Sequence, residues 1–153
     1  MNILIIVDQF HNSNNGTTIS ARRFAEGLEK AGHHVSIVCV GNSSENQYGL
    51  KQIPLPIGIG HLVHSQGMTF AWPNKVILRE AISKADIVHF YMPFPLSVAA
   101  LKIAQELHVP HTAAFHVQPE NITYSIGLGK NHKVNDMIYY FYRDHFYNHF
   151  THI

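Results

Sequence analysis

The fold is decided by an apolar run near the start of the chain, Ile3-Leu4-Ile5-Ile6-Val7. A short, branched run without polar interruption predicts a strand that is covered on both faces, as in a parallel sheet. A polar loop from Gln9 to Thr18 comes next, followed by a helical pattern with apolar residues at positions 24, 25, 28 and 31. Gly32 is the expected C-terminal stop of that helix, and His33 opens the next predicted strand. Together these segments predict one βαβ unit with a right-handed crossover.

Strands and helices alternate along the rest of the chain as well. The patterns predict further strands at 50–55, 86–91 and 109–115, and further helices at 74–85, 96–107 and about 134–149. In the helix that Asn74 caps, the residues expected to face inward are Val76, Ile77, Ala81 and Ile82. This alternation predicts an α/β domain with a doubly wound parallel sheet. We expect one domain over residues 1–153, and its last residues resemble the start of another strand, so the chain is expected to be a fragment.

Composition narrows the class of protein. The chain has 153 residues, of which 46% are hydrophobic and 14% charged, and this is typical of one soluble globular domain. A formal net charge of +1 gives no reason to expect a nucleic-acid partner. Cys39 is the only cysteine, so no internal disulfide is possible, and its apolar neighbours predict a buried thiol in a reducing compartment. No signal peptide is recognised, and no segment approaches the roughly 20 apolar residues of a membrane span.

The first candidate site residue is His116, directly after the predicted strand 109–115. An unusual loop follows it, His116-Val117-Gln118-Pro119-Glu120-Asn121-Ile122-Thr123. Open α/β sheets place their ligands at the carboxyl ends of parallel strands. A histidine there can hydrogen-bond a substrate or change its charge near neutral pH. The alternative is a loop histidine that only caps the sheet.

The loop from Gln9 to Thr18 is a second candidate. It joins the first strand to the first helix, where backbone amides and the helix dipole favour a phosphate or another anion. Thr17 or Thr18 is the expected N-cap of the helix. Gly16 is the only glycine of the loop, so the loop matches neither a dinucleotide fingerprint nor a P-loop. A plain surface turn is the alternative.

Two further strand ends carry candidate residues. Asp8 follows the first strand, and it can contact a substrate hydroxyl or cap a loop. Tyr91 and Pro93 close the predicted strand 86–91, so we expect them to line a cleft together with His116.

Thirteen histidines invite a metal hypothesis. His145 and His149 lie four residues apart on a predicted helix, as zinc ligands can, with His152 nearby. His61 and His64 sit in a glycine-punctuated stretch. Scattered solvated histidines are the preferred interpretation, and we expect no metal site.

Aromatic residues crowd the last predicted helix. Val134, Ile138, Phe141, His145 and Phe146 are expected to face the sheet, which leaves Tyr139 and Tyr147 partly outward. Core packing explains most of these rings. The alternative is an outward band that touches a membrane surface together with Lys130, Lys133 and Arg143.

Taken together, several stretches resemble the amino-terminal domain of family 4 glycosyltransferases. The resemblance rests on 2–8, the Asn15-Gly16 loop, Arg23-Phe24-Ala25-Glu26-Gly27-Leu28, Ala31-Gly32-His33-His34-Val35, Ala85-Asp86-Ile87-Val88-His89 and Phe115-His116. It covers essentially the whole chain, and the stretch from Phe115 to Thr123 looks most like bacterial members that glycosylate lipids or cell-surface glycans. The sequence departs from the family at Asn15-Gly16, where many members carry Gly-Gly.

The resemblance implies one Rossmann-like half of a GT-B architecture in a retaining hexosyltransferase. This half carries the acceptor, a lipid or cell-surface glycan, and an absent carboxy-terminal domain binds the UDP- or GDP-sugar co-substrate. No cofactor is expected in this domain. His116 matches the family's active-site histidine, which contacts the transferred sugar and stabilises developing charge rather than acting as nucleophile. The candidate substrate-binding residues are Asp8, Asn15, Gly16, Thr17, Tyr91, Gln118, Glu120 and Asn121.

Two other functions are compatible with a domain of this kind. The first rival is a stand-alone flavodoxin-like ligand-binding module without catalysis. A nucleotide-binding hydrolase is a weaker one, because no Ser/His/Asp or Cys/His arrangement supports it. As half an enzyme the fragment is expected to be inactive alone and to self-associate through bare interdomain surface. The enzyme is expected in the cytoplasm, peripheral at the inner face of the cell membrane.

Overall fold

The computed structural model describes residues 1–11, 16–56, 60, 67–116, 123 and 130–151. The strands with described bounds are β1 (Asn2–Ile6), β2 (His34–Val40), β3 (Gln47–Leu50), β4 (Ile87–Phe90) and β5 (His111–Ala113). The helices are α1 (Gly16–Lys30), α2 (Lys75–Ser83), α3 (Pro95–Glu106) and α4 (His132–His145), and a 3₁₀ turn spans Tyr147–His149.

The five strands form one parallel sheet in the order β3-β2-β1-β4-β5. Ile5 of β1 lies opposite Ile37 of β2 on one side and opposite His89 of β4 on the other. This is the strand order of a Rossmann-like doubly wound sheet, so the predicted fold class is confirmed.

The core is divided between the two faces of the sheet. Leu4 and Ile6 of β1 belong to one buried cluster, which packs under α2 and α3. Ile5 and Val7 belong to the other, which packs under α1. Alternate residues of β1 therefore point to opposite faces, and each face is covered by helices, as the apolar run predicted.

The first βαβ unit follows the prediction closely. Ala21 and Ala25 are the buried apolar residues of α1. Phe24, one of the apolar positions of the predicted helix, is 40% exposed and packs beside the end of β4. Gly32 ends the helix with φ of 86°, and its N–H donates to the carbonyl of Glu29. Only a residue without Cβ adopts that conformation without strain, so the predicted stop is confirmed.

The two edge strands differ from the prediction. The strand expected at 50–55 is instead β3 at Gln47–Leu50, and beyond it only Gln52 makes an isolated antiparallel bridge with Ala71. The strand expected at 109–115 is shorter, His111–Ala113, and starts after Pro110. Proline has no backbone N–H for a strand ladder, which fits a start immediately behind it.

The helix that Asn74 caps differs from the prediction at one inward position. In α2 the Asn74 carboxamide accepts from the N–H groups of Val76 and Ile77, so the predicted cap is confirmed. Val76, however, is 78% exposed, and Leu78 is the buried residue. None of the helices in the described ranges is both long enough and apolar enough to cross a bilayer.

The aromatic end of the chain also differs from expectation. Helix α4 stops at His145, four residues earlier than predicted. Phe146 and Tyr147 are buried in the core behind that stop, and the Tyr147 hydroxyl donates to the carbonyl of Ala114 at 3.3 Å. Phe141 and His145, expected to face the sheet, are exposed. The burial of Phe146 confirms its predicted inward position, whereas Tyr147, expected partly outward, is buried because the backbone changes direction at Phe146.

Candidate active site at the carboxyl edge of the sheet

The strand order reverses between β1 and β4, and the carboxyl ends of these two neighbours form the topological switch point. Ligands of doubly wound sheets bind in the crevice at such a point. Asp8 lies two residues beyond the end of β1, and Tyr91 lies directly after β4. His116 lies three residues after β5, the next strand along. The sheet therefore carries three of the predicted site residues to one edge.

Tyr91 and His116 are in direct contact, as their predicted positions implied. Their rings stack nearly parallel, with centroids 4.9 Å apart and an interplanar angle of 10°. Tyr91 is only 2% exposed, whereas His116 is exposed. Partial burial lowers the pKa of His116, so the imidazole is neutral at pH 7 and carries one N–H donor and one nitrogen acceptor.

A second histidine, which the sequence reasoning did not single out, lies behind this pair. His89 is the cross-strand partner of Thr112, and its Nδ1 lies 2.8 Å from the Thr112 hydroxyl oxygen. Burial, and secondly the nearby His116, lower the pKa of His89 to about 4. The ring of His89 meets that of Tyr91 edge-on, with centroids 5.3 Å apart. A signal was available: positions 89 and 91 are two apart in one strand, and so share a face.

Asp8 faces inward rather than into the crevice. It is 1% exposed, its Oδ1 accepts from the N–H of Ala71 at 2.8 Å, and its Oδ2 has no partner among the described residues. Burial raises the pKa of Asp8 to about 7. The neighbouring Gln9 also accepts a backbone hydrogen bond from the same distant segment, since its Oε1 accepts from the N–H of Thr69 at 2.9 Å. This geometry supports the loop-capping alternative, and a contact between Asp8 and a substrate stays a prediction.

The start of α1 is fixed against the end of β1. Helix α1 begins at Gly16, so Thr17 and Thr18 lie within its first turn and the predicted threonine cap is wrong. The buried Thr18 hydroxyl donates instead to the carbonyl of Gln9 at 3.2 Å. Arg22 Nε donates to the carbonyl of Phe10 at 2.7 Å. These bonds hold the positive end of the helix dipole at the carboxyl edge, where an anion is favoured.

The remaining predicted site residues, Asn15, Gln118, Glu120 and Asn121, lie outside the described residues and stay predictions. So do His61, His64 and His152 of the metal hypothesis. Within the described ranges, no three side chains of metal-ligating type come together. His145 Nδ1 donates to the carbonyl of Phe141 in its own helix at 3.1 Å.

An apolar groove of about 900 Å³ opens beside this edge, and the sequence analysis did not anticipate it. It runs between α2, α3 and α4 and starts at Pro93 and Phe94, just after β4. Apolar side chains that line it include Val98, Ile103, Met137, Ile138 and Phe141, and three basic residues also line it, Lys75, Arg79 and Lys102. Met137 is 63% exposed and Phe141 51% exposed, so helix α4 presents apolar surface to solvent. Arg79 is paired with Glu106, which partly offsets its charge.

Comparison with known proteins yields one curated relative and two solved structures of interest. Alpha-monoglucosyldiacylglycerol synthase of Streptococcus pneumoniae is 28% identical over 138 residues, covering 84% of this chain. The chain spans 30% of the length of that relative.

Both structures are transferases in complex with UDP. The first is an alpha-glucosyltransferase bound to UDP and a 13-mer DNA containing an HMU base. It is 12% identical to this chain with a TM-score of 0.47, and the match covers 90% of this chain and 35% of that protein's chain. A UGT transferase from Siraitia grosvenorii is 16% identical with a TM-score of 0.45 over 86% of this chain and 32% of its own.

The family assignment follows from a match along nearly the whole sequence. The family model described as Glycosyltransferase Family 4 matches residues 14–153. This range contains α1, β2 to β5 and His116. The chain belongs to glycosyltransferase family 4.

Proposed function

We propose that this chain is the amino-terminal, acceptor-side domain of a retaining hexosyltransferase with the GT-B architecture. The observation that carries the proposal is the exposed, neutral His116, held by Tyr91 at the carboxyl edge of a Rossmann-like sheet in a family 4 chain. The co-substrate is a UDP- or GDP-sugar, held by a second domain beyond this chain. That the chain spans 30% of its curated relative supports such a second domain.

The geometry supports a defined part for His116 in sugar transfer. One face of its ring is covered by Tyr91, and the side chain is exposed at the carboxyl edge of the sheet. A neutral imidazole donates a hydrogen bond from its N–H to a sugar hydroxyl, or to the charge that develops as the bond to the donor phosphate breaks. The start of α1, on the same edge, favours the phosphate that departs.

The proposed acceptor is a lipid, or a glycan carried on a lipid. The name of the curated relative, a synthase of a glucosylated diacylglycerol, supports this acceptor class. The groove between α2, α3 and α4 supports it too, because apolar side chains and basic side chains line it together. Such a surface suits contact with an anionic bilayer at the inner face of the cell membrane.

The decisive experiment for the reaction is His116→Ala in the full-length protein encoded by this reading frame. With diacylglycerol acceptors and a panel of UDP- and GDP-sugars, we expect kcat to fall by about a hundredfold or more, since one hydrogen bond to developing charge is lost. Thermal unfolding should change little, because His116 is exposed. His34→Ala, at an exposed histidine at the start of β2, is the matched control.

Two outcomes contradict the assignment of His116. Loss of folding in His116→Ala identifies a structural residue. An unchanged kcat removes His116 from the chemistry, and no transfer from any nucleotide-sugar by the wild type removes the proposed reaction itself.

Membrane contact is tested by flotation with vesicles. Lys130 and Lys133 are exposed at the start of α4, and Tyr140 beyond them is 56% exposed. Replacing both lysines by Glu should weaken binding to anionic vesicles at low salt, with about 1 kcal/mol lost per basic residue removed. Lys30→Glu, an exposed lysine at the end of α1 on the other face of the sheet, is the matched control. Equal binding to neutral and anionic vesicles contradicts the electrostatic part of the proposal.

A further inference from the structure

Four rings from three parts of the chain meet behind the crevice. Phe24 of α1 contacts His89 and Tyr91 of the β4 end, at centroid distances of 5.0 and 6.4 Å. His89 meets Tyr91 edge-on at 5.3 Å, and Tyr91 stacks against His116 at 4.9 Å. The rings form a continuous array that leads from the sheet interior to the exposed imidazole.

We propose that Tyr91 and His89 are positioning residues, which fix the plane of the His116 ring for the reaction proposed above. The inference rests on that proposed function, and it assigns to the array a purpose beyond core packing. Tyr91 is 2% exposed, so it acts through His116 and not by touching a substrate.

The need for such a support follows from where His116 lies. Its backbone has left β5 three residues earlier, so the hydrogen bonds of the sheet no longer hold it. A side chain on a loop is placed less accurately than one on a strand, unless packing locks its rotamer. A nearly parallel stack at 10° sets the tilt of the imidazole, and leaves rotation within the plane and sliding as the remaining freedoms.

Tyr91 is itself held from several sides. Its hydroxyl is hydrogen-bonded to the side chain of Ser20 in α1, and Phe24 packs beside its ring. His89 closes the third side, and the Thr112 hydroxyl at 2.8 Å from Nδ1 fixes the rotation of the His89 ring. Rigid secondary structure thus supports the stack through side chains that have little freedom of their own.

The proton state of His89 suits this role. With a pKa of about 4, the ring stays neutral at physiological pH. A charged His89 would repel positive charge on His116, so the neutral ring supports the array without adding a competing charge.

The test compares variants at Tyr91 and Thr112. Tyr91→Phe keeps the ring that stacks and loses only the hydroxyl, whereas Tyr91→Leu removes the ring. Thr112→Val keeps the size of the half-buried Thr112 side chain and removes the polar anchor of His89, so it serves as a second variant if Tyr91→Leu fails to fold.

Two measurements are made on each variant. Ring-labelled histidine NMR of the 153-residue chain, with His116 assigned from its loss in His116→Gln, reports the upfield ring-current shift of a stacked imidazole. Steady-state kinetics of the full-length protein separates kcat from KM.

For Tyr91→Leu we expect the ring-current shift of His116 to vanish and kcat to fall about tenfold, with KM within about twofold, because a misplaced group loses transition-state contact. Tyr91→Phe should retain both properties, and Thr112→Val should lower kcat by a smaller factor. A wild-type His116 without a ring-current shift overturns the proposal, as does a Tyr91→Leu enzyme that loses the shift but keeps its kcat. If the wild type transfers no sugar, the proposed function fails, while the NMR result still decides whether Tyr91 orients His116.

Discussion

Replacing Asp8 by Asn should change how the stability of this domain depends on pH. The Asp8 carboxylate is 1% exposed, and within the described ranges only one of its oxygens has a partner, the N–H of Ala71. Burial raises its pKa in the folded chain to about 7. In the unfolded chain an aspartate titrates near about 3.9.

The sign of the effect follows from these two pKa values. Between about pH 4 and pH 7 the folded state holds the Asp8 proton while the unfolded state releases it, so the free energy of unfolding falls as the pH rises. Three pKa units correspond to about 4 kcal/mol, and this loss is complete above pH 7. Asn carries no charge and keeps the acceptor for Ala71, but its amide N–H groups gain no partner, a cost of about 1–3 kcal/mol at every pH.

The assay is urea unfolding of the wild type and Asp8→Asn at pH 5 and pH 8. We expect the difference in free energy of unfolding between the two to shift by about 3 kcal/mol in favour of the variant as the pH rises. His89, whose lowered pKa makes stability rise with pH between about 4 and 6.5, is present in both proteins and cancels in the difference. A difference that is the same at both pH values would refute the reasoning, because Asp8 would then titrate alike in the folded and unfolded chains.

Three further predictions concern single positions. Gly49→Ala should destabilise the domain by about 3 kcal/mol in urea unfolding, because an added Cβ would lie 2.2 Å from the carbonyl oxygen of Gly41. Gly27→Ala in α1 is the control: an added Cβ there has nothing within 4 Å, so the variant should be more stable by about 0.5–1 kcal/mol. His108→Gly should raise the free energy of unfolding by about 1 kcal/mol. His108 follows α3 with φ of 54°, a left-handed conformation that is unfavourable for a residue with a Cβ. An unchanged free energy of unfolding would contradict this. Burial, and secondly the charge of Asp8, raise the pKa of the Cys39 thiol to about 12. Thiol reagents should therefore label Cys39 only when the chain unfolds. Rapid labelling in native buffer would contradict its burial.

The central strands were predictable because burial on both faces leaves an uninterrupted apolar run. β1 carries such a run, β2 and β4 carry mostly apolar runs interrupted by Ser36 and by His89, and the prediction placed all three. The edge strand β3 lacks that signal, since only Leu50 of its four residues is buried. The prediction therefore moved to the more apolar stretch at 50–55, of which only Leu50 belongs to β3.

The last helix shows a different limit of sequence reasoning. Aromatic residues occupy positions 139–142 without a break, so the pattern contains no contrast between an inner and an outer face. Which rings are buried is settled by the end of α4 at His145, after which Phe146 and Tyr147 enter the core. A change of backbone direction of this kind has no periodic signature.

The candidate site was predictable where a strand end carried an unusual residue. Asp8, Tyr91 and His116 were all placed at the carboxyl edge, because parallel strands end on the same side of a sheet. The burial of Asp8 was not predictable, since its partner Ala71 is 63 residues away. His89 was missed because it lies inside β4, where a histidine reads as an ordinary strand residue.

His116 follows β5 and not one of the two strands at the switch point, so its proposed role there depends on the order of the strands. The reversal lies between β1 and β4, and β5 is one strand further out, a step of about 4.8 Å. Tyr91 lies at the end of β4, between the switch point and the end of β5. Its ring stacks on the imidazole of His116 on the side of the crevice. A smaller side chain at position 91 would leave a gap, as wide as the missing ring, between β4 and His116. We therefore expect the ring of Tyr91 to set how far His116 reaches.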